Sequence, residues 1–118
     1  MRVIVAGAVA WADAEAIRRE LAKLPAGTTV IHGDCPGADE IAGRVASELG
    51  FTVELMVKND ADYAKYQKAA WKGLNERMLA SGAVLVLTFH PTFDESSGSK
   101  HLAELAEAAG VEVRVFAT

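Results

Sequence analysis

Short apolar runs alternate with amphipathic segments along this chain. Three runs are rich in β-branched residues and show almost no polar alternation, which is typical of strands covered on both faces. These runs occupy residues 3–5, 29–31 and 84–87. Residues 52–55 and 111–116 alternate in part between apolar and polar, as strands near the edge of a sheet do. The pattern therefore predicts five strands.

Between these runs, apolar positions recur every three or four residues, which is the period of an amphipathic helix. The four stripes are Ile17, Leu21 and Leu24; Ile41, Val45 and Leu49; Tyr63, Tyr66, Ala70, Leu74 and Met78; and Leu102, Leu105 and Ala109. Strands that alternate with helices form parallel neighbours joined by right-handed crossovers. The pattern predicts an α/β fold, a doubly wound three-layer sandwich around a five-stranded parallel sheet, in which the third stripe is one long helix.

Composition narrows the class of protein. The 118 residues suffice for a single domain over 1–118, and 12 basic against 16 acidic residues give a net charge of −4. This acidic balance disfavours tight binding to nucleic acid. No apolar run approaches the ~20 residues of a membrane span, and the first run is too short for a secretory signal, so we expect a cytoplasmic protein without a membrane partner. Cys35 is the one cysteine, which argues against a disulfide or a zinc site, and no metal or cofactor is predicted.

Ligands of open parallel sheets bind outside the carboxyl ends of the strands, where the strand order reverses. The second run reaches that edge in a turn over residues 32–39, directly before a helical stripe. Glycine allows a ligand to approach the backbone closely, and amides at a helix start attract phosphate. The candidate ligand contacts here are Gly33, Asp34, Cys35, Gly37, Ala38 and Asp39. The alternatives are a turn that only connects strand and helix, and an Asp39 that caps the helix rather than accepting a ribose hydroxyl.

The fourth run leads into a second turn of similar composition. His90 follows the strand, and the sequence Ser-Ser-Gly-Ser at residues 96–99 precedes the last helical stripe. Small residues with free amides can form an anion cradle, to which Lys100 can add a charged hydrogen bond. The candidate contacts here are His90, Ser97, Gly98, Ser99 and Lys100. The alternative is a solvated loop in which Ser99 caps the helix.

The first turn, residues 7–11, has one glycine where a dinucleotide-binding motif has three, so it does not predict NAD binding. Gly7 and Ala8 nevertheless lie at the same predicted edge of the sheet. Trp11 can stack on a base or pack in the interior. Asn75 and Arg77 lie in the helix predicted from the third stripe and face either a cleft or water.

In this order, the motifs resemble those of the SLOG superfamily, named for the DprA and LOG proteins, and most closely its small stand-alone YspA/YpsA-related branch. The matching segments are the opening strand with Gly7 and Trp11, the signature His32-Gly33 followed by Gly37-Ala38-Asp39, the helix with Asn75 and Met78, and the turn Ser97-Gly98-Ser99-Lys100-His101. Together they run nearly from end to end of the chain.

This resemblance implies a Rossmann-like fold with strand order 3-2-1-4-5 and the binding of a nucleotide or nucleotide-derived molecule. Some relatives hydrolyse the N-glycosidic bond of nucleoside monophosphates, whereas others only hold or sense a ligand. The family also implies a homo-oligomer. The third stripe, with Trp71 near it, is a candidate contact surface unless that stripe faces the core.

The chain departs from the hydrolase pattern. Leu102 stands where the catalytic glutamate falls, and Val9, Pro36 and Leu74 stand where the family has arginine. We therefore expect a protein that senses or sequesters its ligand, with backbone amides of residues 33–38 and 98–100 on the phosphate or ribose and Trp11 on the base. The alternatives are an N-glycosidic hydrolase in which Arg77 orients the phosphate, and an interaction module with a vestigial pocket.

Overall fold

The computed structural model describes residues 1–118 and contains five strands and five α-helices. The strands are β1 (Arg2–Gly7), β2 (Thr29–His32), β3 (Thr52–Leu55), β4 (Leu85–Phe89) and β5 (Glu112–Phe116). The helices are α1 (Ala14–Leu21), α2 (Ala38–Glu48), α3 (Asp60–Tyr66), α4 (Trp71–Ala80) and α5 (Gly98–Ala108), with 3₁₀ turns at Gln67–Ala69 and Phe93–Glu95. None of the helices combines the length and apolar character needed to cross a bilayer.

The strands form one sheet in the order β3-β2-β1-β4-β5, and every neighbouring pair is parallel. This confirms the Rossmann-like sandwich and its strand order. The chain winds outward from β1 to β3 and then returns, so that β4 pairs with the other side of β1. The order therefore reverses between β1 and β4, and a ligand of this sheet is expected above their carboxyl ends.

The pleat of β1 divides the core between the two faces of the sheet. Val3 and Val5 belong to a cluster of 14 buried residues that α1 and α2 cover. Ile4 and Ala6 belong to a second cluster, of 9 buried residues, that α4 and α5 cover. Alternate residues of a strand point to opposite faces, so both sets of β1 side chains must be apolar. This explains why the central strands lack polar alternation.

The prediction of one long third helix was wrong. The segment divides into α3 and α4 around Gln67, whose φ of +54° interrupts the helical backbone without a glycine or proline to mark the break. Only the second half of the stripe reaches the core, because Ala70, Leu74 and Met78 are buried whereas Tyr63 is 51% exposed. The α4 part of the stripe therefore packs within the chain and is not a free surface for a second copy.

Candidate ligand-binding site

The β2–α2 and β4–α5 turns meet at the carboxyl edge of the sheet. Gly33 and Gly98 line one cavity of about 80 Å³, which shares several residues with a neighbouring cavity of about 300 Å³. Both lie where the strand order reverses, and together they are called the edge cavity. Of the predicted contacts, those that line it are Gly7, Ala8, Gly33, Cys35, Asp39, Asn75, His90, Ser97, Gly98 and Ser99. The predicted contacts that do not line it are Trp11, Asp34, Gly37, Ala38, Arg77 and Lys100.

The β2–α2 turn is bound tightly to the first turn of the chain. The amide of Ala38 donates a hydrogen bond of 3.1 Å to the carbonyl of Ala8, which occupies that amide. Gly37 has a φ of +78°, and a Cβ there would stand 2.2 Å from the carbonyl oxygen of Val9. Only glycine therefore fits, and it serves a close contact between two backbone segments.

Asp39 brings a carboxylate into the edge cavity. It lies in the first turn of α2, beyond the capping position of Gly37, and is 7% exposed. A Cβ on Gly33 would stand 2.8 Å from Oδ2 of Asp39, so this glycine makes room for the carboxyl group. Burial raises the pKa of Asp39 to about 7, although the amides of Cys35 and Gly33 favour the charged form. The group is a buried acceptor that is partly protonated near neutral pH.

The β4–α5 turn has the opposite character. The amides of Gly98 and Ser99, at the start of α5, find no acceptor within the chain. The next amide, of Lys100, donates to Ser96 Oγ at 3.0 Å, so Ser96 rather than Ser99 satisfies this end of the helix. Free amides at the positive end of a helix dipole favour a negatively charged ligand group.

Asn75 holds the start of α5 in place. Its buried Nδ2 donates to the carbonyl of Gly98 at 3.1 Å and to Nδ1 of His101 at 3.1 Å. Burial and the nearby charge of Lys72 lower the pKa of His101, which favours the neutral ring that can accept this bond. Asn75 thus lines the cavity and also fixes the backbone that supplies the free amides.

The edge cavity is also lined by residues that sequence reasoning did not name as ligand contacts, among them Lys58 and Trp71. Lys58 follows β3, and its Nζ lies 2.7 Å from Asp34 Oδ1, at the rim. Trp71 begins α4 and packs edge-on against the ring of His101, with 5.4 Å between the ring centroids. The position of Lys58 after a strand was a usable signal. No signal in the sequence indicated that Trp71 lines the cavity, because neither glycine nor proline marks the break before α4.

Trp11 lies in the interior, as the alternative interpretation expected. It is 8% exposed, and its ring packs edge-on against Phe89 with 5.6 Å between the centroids. Its Nε1 donates to the carbonyl of Asp13 at 2.9 Å, so the polar end of the side chain is also satisfied.

The residues named for a hydrolase are not gathered at the edge cavity. Arg77 binds the buried carboxylate of Asp62 through Nε at 3.1 Å and the carbonyl of Val57 through Nη2 at 2.6 Å. This arginine ties α4 to the segment after β3. Leu102 is fully buried in the core beneath α5, so the position of the family's glutamate does not face the cavity.

Comparisons with known proteins support the family and the fold. The model of the YAcAr family, described as the YspA, cpYpsA-related SLOG family, matches residues 1–66. The Gene 61 protein of Mycobacterium phage D29 is 34% identical over 122 residues, which cover 98% of this chain and 95% of that protein. The structure of DNA processing protein A (DprA) from Streptococcus pneumoniae superposes with a TM-score of 0.74 at 16% identity, over 97% of this chain and 49% of that one. The chain thus spans about half the length of DprA, and a likeness at this identity speaks for the fold alone.

Proposed function

We propose that this chain, which belongs to the YspA, cpYpsA-related SLOG family, binds a small nucleotide-derived molecule in the edge cavity and senses or sequesters it rather than turning it over. The observation that carries the proposal is that one cavity offers free amides, of Gly98 and Ser99, and a buried carboxyl group, of Asp39. A phosphate accepts hydrogen bonds, whereas ribose hydroxyls donate them. The two walls of the cavity therefore suit the two polar parts of a nucleotide.

The phosphate is assigned to the β4–α5 turn. The free amides of Gly98 and Ser99 lie at the positive end of an 11-residue helix, beside the edge cavity, and Lys58 lies at the rim of the same cavity. Lys58 is held by Asp34, so a phosphate has to share or displace that partner. The ribose is assigned to Asp39, because a carboxyl group accepts hydrogen bonds from hydroxyls in either protonation state.

The base is assigned to Trp71 rather than to Trp11. Trp71 lines the edge cavity and is only partly buried, which leaves part of its ring free to stack. A Cβ on Gly98 would meet only the ring of Trp71, at 4.0 Å, so the space between helix start and ring is open.

The two positions on which the hydrolase alternative rests do not support it, since Arg77 is engaged by Asp62 and no carboxylate stands at Leu102. Self-association and a cytoplasmic location stay predictions. The vestigial-pocket alternative differs from our proposal in one outcome, the absence of any ligand.

Calorimetric titration with nucleoside mono- and diphosphates and with cyclic nucleotides tests the proposal. At a ligand concentration 100 times Kd, binding adds about 2.7 kcal/mol to the free energy of unfolding. Trp71→Ala should weaken binding at least tenfold and leave folding intact, whereas Trp11→Phe should lower stability and leave affinity unchanged. If no compound binds the unaltered protein, or if Trp71→Ala binds as tightly, the proposal is overturned.

A further inference from the structure

A second recess lies on the other side of the β2–α2 turn, between α2 and β3. Its volume is about 480 Å³, which falls within the range of small-molecule pockets. It shares only Gly33 and Cys35 with the edge cavity, so most of its wall is separate. We call it the α2–β3 groove, and its remaining walls are formed chiefly by His32, Glu40, Gly43, Arg44, Val53 and Leu55.

The side chain of His32 lines this groove and has one hydrogen-bond acceptor, Nε2, that is without a partner. The side chain is only 9% exposed, and its Nδ1 lies 2.8 Å from the carbonyl oxygen of Gly33. A carbonyl can only accept, so Nδ1 carries the proton and the neutral ring keeps a lone pair on Nε2. Nε2 has no partner within the chain. It lies beside Gly43, where a Cβ would stand 2.5 Å away, so the absence of a side chain at 43 is what allows the ring of His32 to fit against α2, and both residues line the groove.

Two charged side chains of α2 border the same groove. Glu40 and Arg44 are one helical turn apart, and residues at this spacing commonly pair. Here both are exposed, and neither forms an ion pair or a side-chain hydrogen bond within the chain. The groove therefore offers two acceptors without a partner in the chain, His32 Nε2 and the Glu40 carboxylate, and one planar donor, the Arg44 guanidinium. The carboxylate of Asp34 also lines the groove but is paired with Lys58.

The floor of the groove is apolar. Val53 and Leu55 belong to β3, which is an edge strand, and Leu55 is 56% exposed. A flat ring laid on these side chains removes apolar surface from water, which is favourable in proportion to the area covered.

We propose that the α2–β3 groove binds a planar heteroaromatic ring that carries N–H donors, of the nucleobase class. The ring packs on Val53 and Leu55, one N–H donates to His32 Nε2, and Glu40 and Arg44 pair with the donors and acceptors at its edge. The ring arrives either as a free nucleoside or as the second base of a dinucleotide whose first half occupies the edge cavity. The groove itself does not rest on the function proposed for that cavity.

The test is an NMR titration of protein labelled with ¹⁵N in histidine and ¹³C in valine and leucine methyls, at pH 8. The probes are adenosine, guanosine, cytidine and uridine. At least one should shift His32 Nε2 together with the methyls of Val53 and Leu55, along one saturable curve. If no nucleoside at saturating concentration shifts these signals, the proposal is overturned.

Two variants test the contacts without disturbing the core. Leu55→Asp and Arg44→Gln alter exposed side chains and should each weaken binding about tenfold. Arg19→Gln, which changes the same charge on the exposed face of α1, should leave the affinity unchanged. Unaltered affinity in both groove variants would also overturn the proposal.

A further variant separates the two sources of the ring. Gly98→Leu fills the edge cavity and leaves the α2–β3 groove untouched. The best nucleoside and its pyrophosphate-linked dinucleotide are then compared. If the groove serves a dinucleotide, the dinucleotide binds at least tenfold tighter than the nucleoside, and Gly98→Leu removes that difference. If it serves a free nucleoside, both bind equally with and without Gly98→Leu, and either result supports the groove.

Discussion

The two turns that border the edge cavity have similar sequences and different chemistry. In the β2–α2 turn the amide of Ala38 binds the Ala8 carbonyl, and the amides of Gly33 and Cys35 face the carboxyl group of Asp39. In the β4–α5 turn the first amides of the helix stay free. Both turns contain glycine, small residues and a helix start, which is the pattern expected of an anion cradle.

The difference lies in the first helical turn. The β2–α2 turn carries Asp39 there, which supplies its own negative group to the turn amides and to the positive end of α2. The β4–α5 turn has only Ser99 and Lys100 at comparable positions, so no carboxylate of its own helix competes for the turn amides. In this chain the carboxyl group of Asp39 therefore already faces the amides that an anion would need in the β2–α2 turn, whereas the β4–α5 turn leaves its first helical amides free.

The largest loss of stability is expected from a substitution at the backbone contact between the β2–α2 turn and the first turn of the chain. Gly37→Ala puts a Cβ 2.2 Å from the Val9 carbonyl oxygen in a left-handed conformation, so the two turns must separate. We expect a loss of about 4 kcal/mol or more in the free energy of unfolding, measured by urea denaturation. Gly50→Ala is the matched control, since its φ is +85° but nothing lies within 4 Å of the added Cβ. That variant should lose about 1–2 kcal/mol, and equal losses would show that the contact is not tight.

The second effect concerns the charge of Asp39. Its pKa rises from an ordinary value of 3.8 to about 7 in the folded chain, so the folded state holds this proton more strongly than the unfolded state. The stability this contributes is complete below pH 4 and is lost as the pH rises through 7. Asp39→Asn stays neutral, so relative to the variant the wild type should lose about 2–4 kcal/mol between pH 4 and pH 8.

The measurement is a set of urea denaturation curves for both proteins across this range. Asp94→Asn, on an exposed side chain away from the edge cavity, should show no such divergence from the wild type. A constant difference between wild type and Asp39→Asn at all pH values would mean that Asp39 is well solvated. The contrast between the two turns would then be weaker than the geometry indicates.

Much of the fold could be predicted from the sequence, because strands that are buried on both faces appear as apolar runs without polar alternation. Val3, Val30 and Val86 sit in strands with helices on either side, and no polar residue interrupts those runs. The break at Gln67 could not be predicted in this way, because no glycine or proline marks the position at which the helical backbone is interrupted.

The candidate site could likewise be predicted only in part. Glycine turns at strand ends could be located from the strand pattern, and Gly33 and Gly98 do line one cavity. The sequence did not indicate which tryptophan faces that cavity. Trp11 and Trp71 both follow an alanine and differ only in what packs around them. The internal partner of Arg77 was likewise invisible, because Asp62 is 15 residues away and belongs to a different helix.

The third prediction concerns Asn75, whose hydrogen bonds hold the β4–α5 turn in place. Asn75→Leu keeps the size of the buried side chain but removes the hydrogen bonds to Gly98 and His101. We expect a loss of about 2 kcal/mol in stability and faster amide hydrogen exchange at Lys100 and His101, whose amides bond to Ser96 and Ser97. Asn59→Ala, which removes the cap of α3, should cost about 1 kcal/mol without changing exchange there. Unchanged exchange in Asn75→Leu would show that α5 is fixed by its core face alone.

The smallest effect on stability is expected at Lys58, and it bears most directly on which turn receives the anion. Its ion pair with Asp34 is partly exposed, so Lys58→Gln should change the free energy of unfolding by less than about 1 kcal/mol. If the phosphate lies by the free amides of α5, the same variant should weaken nucleotide binding severalfold and flatten its dependence on salt, because one cationic contact at the rim is lost. Lys65→Gln removes a comparable surface ion pair, with Glu76, and should leave both the affinity and its salt dependence unchanged. Equal salt dependence in wild type and Lys58→Gln would place the anion away from Lys58, and the amides of Gly98 and Ser99 would then have to hold it without a charged side chain.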